Sequence, residues 1–126
     1  MNLNQITVST HDIVQSVTFY KTLGLELIVD APHYARFLVP EGRATFSVSL
    51  TEEPIQTKGT TVYFECENLD AKVEELLAKG LEFTEQPTDK SWLWREAHLL
   101  DPAGNVICLY YAGENRVNPP WRVESS

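Results

Sequence analysis

Ile6-Thr-Val-Ser-Thr10 and Val62-Tyr-Phe-Glu-Cys66 stand 56 residues apart, and each opens a series of signals that runs in the same order. Both segments alternate as half-buried strands do. Asp12 then falls on Asn68, and each offers a side-chain oxygen to the unsatisfied N–H groups of a helix's first turn. Ile13, Val17 and Tyr20 in one half, and Leu69, Val73, Leu76 and Leu77 in the other, draw one apolar stripe per helix. Gly24 falls on Gly80, where a residue that tolerates positive φ stops a helix. Leu25-Glu26-Leu27 and Leu81-Glu82-Phe83 read as the next strands. The closing hairpins match at an offset of 62: Pro40-Glu41-Gly42 before Ala44 to Leu50, and Pro102-Ala103-Gly104 before Val106 to Tyr111. A unit written twice leaves few folds open. The expectation is α+β, two tandem βαβββ modules at about 1–51 and 59–112, with a linker at 52–58 and a tail at 113–126. At 126 residues the chain suits one domain, 1–126.

Charge and cysteine usage narrow the partners. Eighteen acidic against ten basic residues give a net charge of −8, which repels nucleic acid and anionic membranes. No apolar run approaches the roughly 18 residues that span a bilayer, and the N-terminus lacks a signal layout. A soluble, cytoplasmic protein is expected, contacting neither nucleic acid nor membrane. Cys66 and Cys108 have no CxxC partner, so reduced thiols are expected. They should lie on opposite faces of their sheet, where a disulfide between them is impossible.

Two stretches carry a family likeness. Thr18-Phe19-Tyr20-Lys21-Thr22-Leu23-Gly24-Leu25 and Leu99-Leu100-Asp101-Pro102-Ala103-Gly104-Asn105, set in the doubled module, resemble the helix end and the Asp-Pro-x-Gly-Asn turn of the vicinal-oxygen-chelate superfamily. That superfamily holds glyoxalase I, bleomycin-resistance proteins and extradiol dioxygenases. The resemblance covers Leu3 to Tyr111. It implies a curved, mostly antiparallel eight-stranded cup with helices outside, a small-molecule site inside, and a homodimer, for which Trp121 in the tail is a candidate cover of an exposed strand edge. Strand alternation then turns Ile6, Val8, Phe46, Val48, Val62, Phe64, Ile107 and Leu109 toward the helices. Gln5, Thr7, Ser47, Ser49, Thr61, Tyr63, Glu65, Cys108 and Tyr110 turn toward the cup.

Enzymes of the superfamily usually hold a divalent metal by His, Gln or Glu from four cup-facing strand positions. Here those positions are Gln5, Ser47, Thr61 and Cys108. Only Gln5 is a usual ligand there, and hydroxyls are weak donors to divalent ions. No cofactor is expected, although a divalent metal on Gln5, Glu65 and His98 stays open. None of His11, His33 and His98 forms a zinc-type spacing. His11 and His33 read as solvated. His98 reads as a hydrogen-bonded strand residue, with a general-base role beside Glu65 as the catalytic alternative. Nucleophile elbows and Gly-rich phosphate loops are missing from the sequence.

Aromatic residues are the stronger signal. Trp92 and Trp94 alternate ahead of His98, and Tyr63 and Tyr110 point into the same cup. Rigid rings bury large areas at low entropic cost and suit small-molecule pockets. Ring filling of the cup mouth or a dimer contact is the plain alternative, and Arg36 and Arg95 read as surface residues or anchors for a ligand anion. The reading is a small-molecule-binding protein without the metal quartet, using Trp92, Trp94, Tyr63 and Tyr110 for apolar contact and Gln5, Arg36, Glu65, His98 and Cys108 for polar anchoring. The alternatives are a metal-dependent lyase, isomerase or dioxygenase of glyoxalase type, and a purely structural or regulatory dimer.

Overall fold

The computed structural model describes residues 1–124. Ser125 and Ser126, the end of the expected tail, lie outside the described residues. Among the described residues, the elements follow the doubled order: β1 (Gln5–Thr10), α1 (Ile13–Leu23), β2 (Glu26–Ala31), β3 (Tyr34–Leu38), β4 (Thr45–Leu50), β5 (Thr61–Glu65), α2 (Leu69–Ala78), β6 (Glu85–Asp89), β7 (Arg95–Leu100) and β8 (Val106–Tyr111). A short 3-10 turn, Gly113–Arg116, begins the tail. The chain forms two compact units, Met1–Thr60 with Leu100–Asn105, and Thr61–Leu99 with the chain from Val106. No described helix is long and apolar enough to cross a membrane.

Each unit is a four-stranded mixed sheet with one helix packed on it. The first has the strand order β1-β4-β3-β2 and the second β5-β8-β7-β6. In each sheet the first strand, at one edge, pairs in parallel with the last: Thr7 lies opposite Ser47, and Tyr63 opposite Cys108. The helices start and stop where their caps dictate. Asp12 Oδ1 accepts the Gln15 N–H at 3.0 Å, and Asn68 Oδ1 accepts that of Ala71 at 3.3 Å. Gly24 closes α1 at φ 115°, a left-handed conformation that would strain other residues.

The repeat extends to the core. Tyr20 and Leu76, Ala35 and Ala97, Phe37 and Leu99, Phe46 and Ile107, and Val48 and Leu109 hold matching places and are all essentially inaccessible. Each large apolar side chain so placed contributes about 1.5–3 kcal/mol. No disulfide joins Cys66 to Cys108.

One expected strand is displaced. Leu81-Glu82-Phe83 is not a strand; β6 begins at Glu85. The Leu81 N–H turns back to the Leu76 carbonyl to close α2, and pairing with β7 starts only where the Thr84 N–H meets the His98 carbonyl at 2.8 Å. β6 is the sheet edge, and its register shifts between Glu85 and Thr88 around Pro87. Proline has no N–H for a ladder, so an irregular edge is where it is tolerated.

The two sequence marks of the resemblance meet in the first unit. Asp101 is buried, and its four hydrogen bonds leave no orphan oxygen: Oδ1 accepts the Ala103 and Asn105 N–H groups, while Oδ2 accepts the Tyr20 hydroxyl at 2.6 Å and Asn105 Nδ2 at 2.8 Å. Asn105 Nδ2 also donates to the Ser9 carbonyl on β1. Tyr20→Phe should therefore cost about 1.5–3 kcal/mol in urea unfolding. Burial, and after it the Asp101 charge, raises the Tyr20 phenol well above its ordinary value of 10.0. The unfolded chain then loses this proton first, so the stability present below about pH 10 declines above it, by up to about 1.4 kcal/mol per pH unit. That part of the alkaline decline should be missing from Tyr20→Phe.

Candidate functional site

Alternation along β7 and β8 builds the site in the second unit. Ala97, Leu99, Ile107 and Leu109 are buried on the α2 side. Glu96, His98, Cys108 and Tyr110, being their neighbours in sequence, must project from the opposite face. There His98 Nε2 lies 2.9 Å from Glu96 Oε1, and Cys108 Sγ lies 3.7 Å from Glu96 Oε1 and 3.8 Å from His98 Nε2. These three residues offer ligand-type atoms within 4.8 Å of one another. Glu96 is only 3% exposed. Its second oxygen accepts the Trp92 indole N–H at 2.7 Å, so neither oxygen is stranded. Burial, and next the Glu96 charge, pushes the Cys108 thiol up to about 12. Lys90 holds Glu85 at 2.6 Å, and Glu85 lies 3.8 Å from His98 Nε2.

Rings border this group. Trp94 stacks on Tyr110 with centroids 4.7 Å apart, and Tyr63 meets both edge-on at 6.0 and 5.5 Å. Tyr110 is buried while Tyr63 and Trp92 are about half exposed, so the cluster has a solid base and accessible edges. A separate recess of about 470 Å³ shares Trp94 with this cluster and is lined by Asp89, Lys90, Leu93, Arg95 and Tyr111 among others. Its charges are already committed: Arg95 is held by Asp70 and Asp89, and Lys90 by Glu85. Little remains there to orient a ligand.

The first unit carries a different set at the matching positions. The Tyr34 hydroxyl lies 2.6 Å from Ser47 Oγ and accepts the Arg36 Nε–H at 2.9 Å. Gln5 accepts the Thr45 hydroxyl at 2.8 Å. The Ser47 contact, helped by the Arg36 guanidinium and Gln5, lowers the Tyr34 phenol below its ordinary value.

The expected site residues are thus distributed in a specific way. His98, Cys108, Tyr63, Tyr110, Trp92 and Trp94 gather in the second unit, while Gln5 and Arg36 belong to the first. The two tryptophans do not alternate on a strand. They sit in the β6–β7 turn, closed by the Lys90 N–H to the Trp94 carbonyl, with Leu93 at φ 68°. Trp92 there reaches Glu96, and Trp94 donates to the Asn115 carbonyl. Glu65 does not pair with His98, because Glu65 Oε2 accepts the Ala112 and Gly113 N–H groups at 2.9 and 3.0 Å. The carboxylates beside His98 are instead those of Glu96 and Glu85, so the Glu65–His98 pair expected for a general base is not formed. His11 bonds the Glu53 carbonyl, and His33 is exposed. Sequence reasoning missed Glu96, Glu85, Lys90 and Tyr34; the signal for Glu96 was its spacing of two from His98, which puts both on one strand face.

Comparison with known proteins fits this architecture. The family model of the glyoxalase/bleomycin resistance protein/dioxygenase superfamily matches residues 2–109. The chain belongs to that superfamily. The uncharacterized protein YraH of Bacillus subtilis (strain 168) is 32% identical over 125 residues, covering 87% of this chain and 98% of its own. A glyoxalase/bleomycin resistance protein/dioxygenase from Nocardioides superposes with a TM-score of 0.79 at 23% identity, over 98% of this chain and 90% of that one. A bleomycin-binding protein complexed with bleomycin gives a TM-score of 0.71 at 14% identity, over 88% and 98%. At those identities the structural likeness is one of fold.

At the superfamily's four metal positions this chain carries Gln5, Ser47, Thr61 and Cys108. The Ser47 hydroxyl is bonded to that of Tyr34, the Gln5 oxygen takes the Thr45 hydroxyl, and Thr61 adds a third neutral side chain, all weaker donors to a divalent ion than imidazole or carboxylate. In the first unit, a spectrophotometric titration should show Tyr34 ionising below its ordinary value. Ser47→Ala should move it back up, since the largest lowering contact is then gone; an unchanged low-titrating tyrosine would contradict the assignment.

Proposed function

We propose that this chain is a small-molecule-binding protein that takes a flat aromatic or apolar ligand, neutral or cationic, against the rings of Tyr63, Trp92 and Trp94 on the face opposite α2. The observation that carries this reading is the ring group itself. A stacked Trp94–Tyr110 base with a half-exposed Tyr63 beside it offers rigid apolar area that needs little ordering on binding. The Glu96–His98 pair, with His98 partly exposed, supplies polar orientation next to it. The net charge of −8 disfavours an anionic ligand. A relative of this fold found in complex with bleomycin supports binding, rather than turnover, as one use of the scaffold. The homodimer implied by the family belongs to the same proposal, and sedimentation velocity checks it.

A second reading, an enzyme of the superfamily, draws on one observation. A carboxylate 2.9 Å from an imidazole can orient it to accept a proton from a bound substrate. The four positions from which the superfamily usually draws a metal do not assist that chemistry.

Tryptophan fluorescence separates the outcomes. Proflavine, a planar cation, should quench saturably, and Tyr63→Ala should weaken the interaction about tenfold or more while barely changing stability. An anionic naphthalene sulfonate should bind more weakly. Quenching that never saturates, or that Tyr63→Ala leaves unchanged, would remove the ring face as the site.

A further inference from the structure

We infer that Glu96, His98 and Cys108 form a zinc-type metal site, carried by the second sheet alone and distinct from the superfamily's four-position arrangement. Only Cys108 occupies one of those four positions. Glu96 and His98 come from β7, which contributes none of them.

Donor chemistry and spacing both favour this. A carboxylate, an imidazole and a thiolate together are the mixed set that zinc accepts, and they exclude magnesium and calcium, which require oxygen. Zinc bonds of about 2.0–2.3 Å in a tetrahedron put neighbouring ligand atoms roughly 3.3–3.8 Å apart. The three edges here are 2.9, 3.7 and 3.8 Å. Two already suit an ion, and the third is the Glu96–His98 hydrogen bond, which an ion would replace with a modest opening. Three donors leave one coordination position for water or a ligand, the pattern of sites that bind something further.

The surroundings are those of a supported site. The Trp92 indole N–H fixes Glu96 Oε2 at 2.7 Å, which directs Oε1 toward His98 and Cys108. Both strands are interior to their sheet, with β5 and β6 at its edges, so the donors stand on the most constrained backbone of the unit. Lys90 is the nearby cation that an incoming ion must coexist with, and its ammonium is engaged by Glu85.

Cobalt titration of the full-length chain tests this independently of any organic ligand. The metal-stripped, reduced protein should develop a thiolate-to-cobalt charge-transfer absorption that saturates at one equivalent and is displaced by zinc. Cys66→Ser should keep it and Cys108→Ser should lose it. His98→Gln, a change at a partly exposed side chain that should fold normally, should weaken cobalt about tenfold or more, and Trp92→Phe about tenfold through Glu96. Circular dichroism of each variant establishes that it is folded. The site is overturned by a folded wild-type chain that shows no saturating band, by a band that follows Cys66 instead of Cys108, or by His98→Gln binding cobalt as tightly as the wild type. Because proflavine quenching in metal-free protein reads the ring face separately, either result can fail without the other.

Discussion

Period-two alternation is the constraint on which the rest depends. In each unit one helix covers one face of a four-stranded sheet, so every second residue of a strand is committed to that helix. The intervening residues are thereby delivered together to the opposite face. Ala97, Leu99, Ile107 and Leu109 make the α2 side dry; Glu96, His98, Cys108 and Tyr110 gather because those four do. A one-residue slip of β7 would bury Glu96 and His98 against α2 and dismantle both core and site.

A buried carboxylate sharpens this dependence. Glu96 is tolerable at 3% exposure because Trp92, His98 and Cys108 surround it with donors. Asp101 plays a comparable part in the first unit, where Tyr20 and Asn105 complete its shell. The one anchors a turn and serves the scaffold, as Asp101 does with its four bonds. The other, Glu96, arranges chemically capable side chains in a place where the scaffold needs only apolar filling. The matching positions of the first unit hold Tyr34, Arg36 and Ser47, so the two halves share a fold and differ in chemistry.

The scaffold was legible because its signals are local or periodic. Caps at Asp12 and Asn68, stops at Gly24 and Gly80, and the paired stripes lie within a few residues of the structure they cause. The start of β6 was not legible: the Leu81 N–H is drawn into helix closure, which no apolar pattern announces. The Trp92 and Trp94 turn was missed for a similar reason, since Leu93 adopts positive φ without a glycine or asparagine to mark it. Cys108 and His98 were expected on one face and lie 3.8 Å apart. Their expected partner was Glu65, whose carboxylate the backbone of Ala112 and Gly113 takes instead. Competition of that kind is three-dimensional, and one strand's residues do not reveal it.

The three indole N–H resonances offer the most direct measurement of the central claim, that ligand recognition lies on the second sheet's face opposite α2. Trp92 donates to Glu96, Trp94 to Asn115, and Trp121 stands exposed in the tail as an internal control. In a nitrogen–proton correlation spectrum titrated with proflavine, the account predicts saturable shifts of the Trp92 and Trp94 indoles with Trp121 unmoved. Shifts confined to Trp121, or to backbone amides around Tyr34 and Arg36, would contradict it.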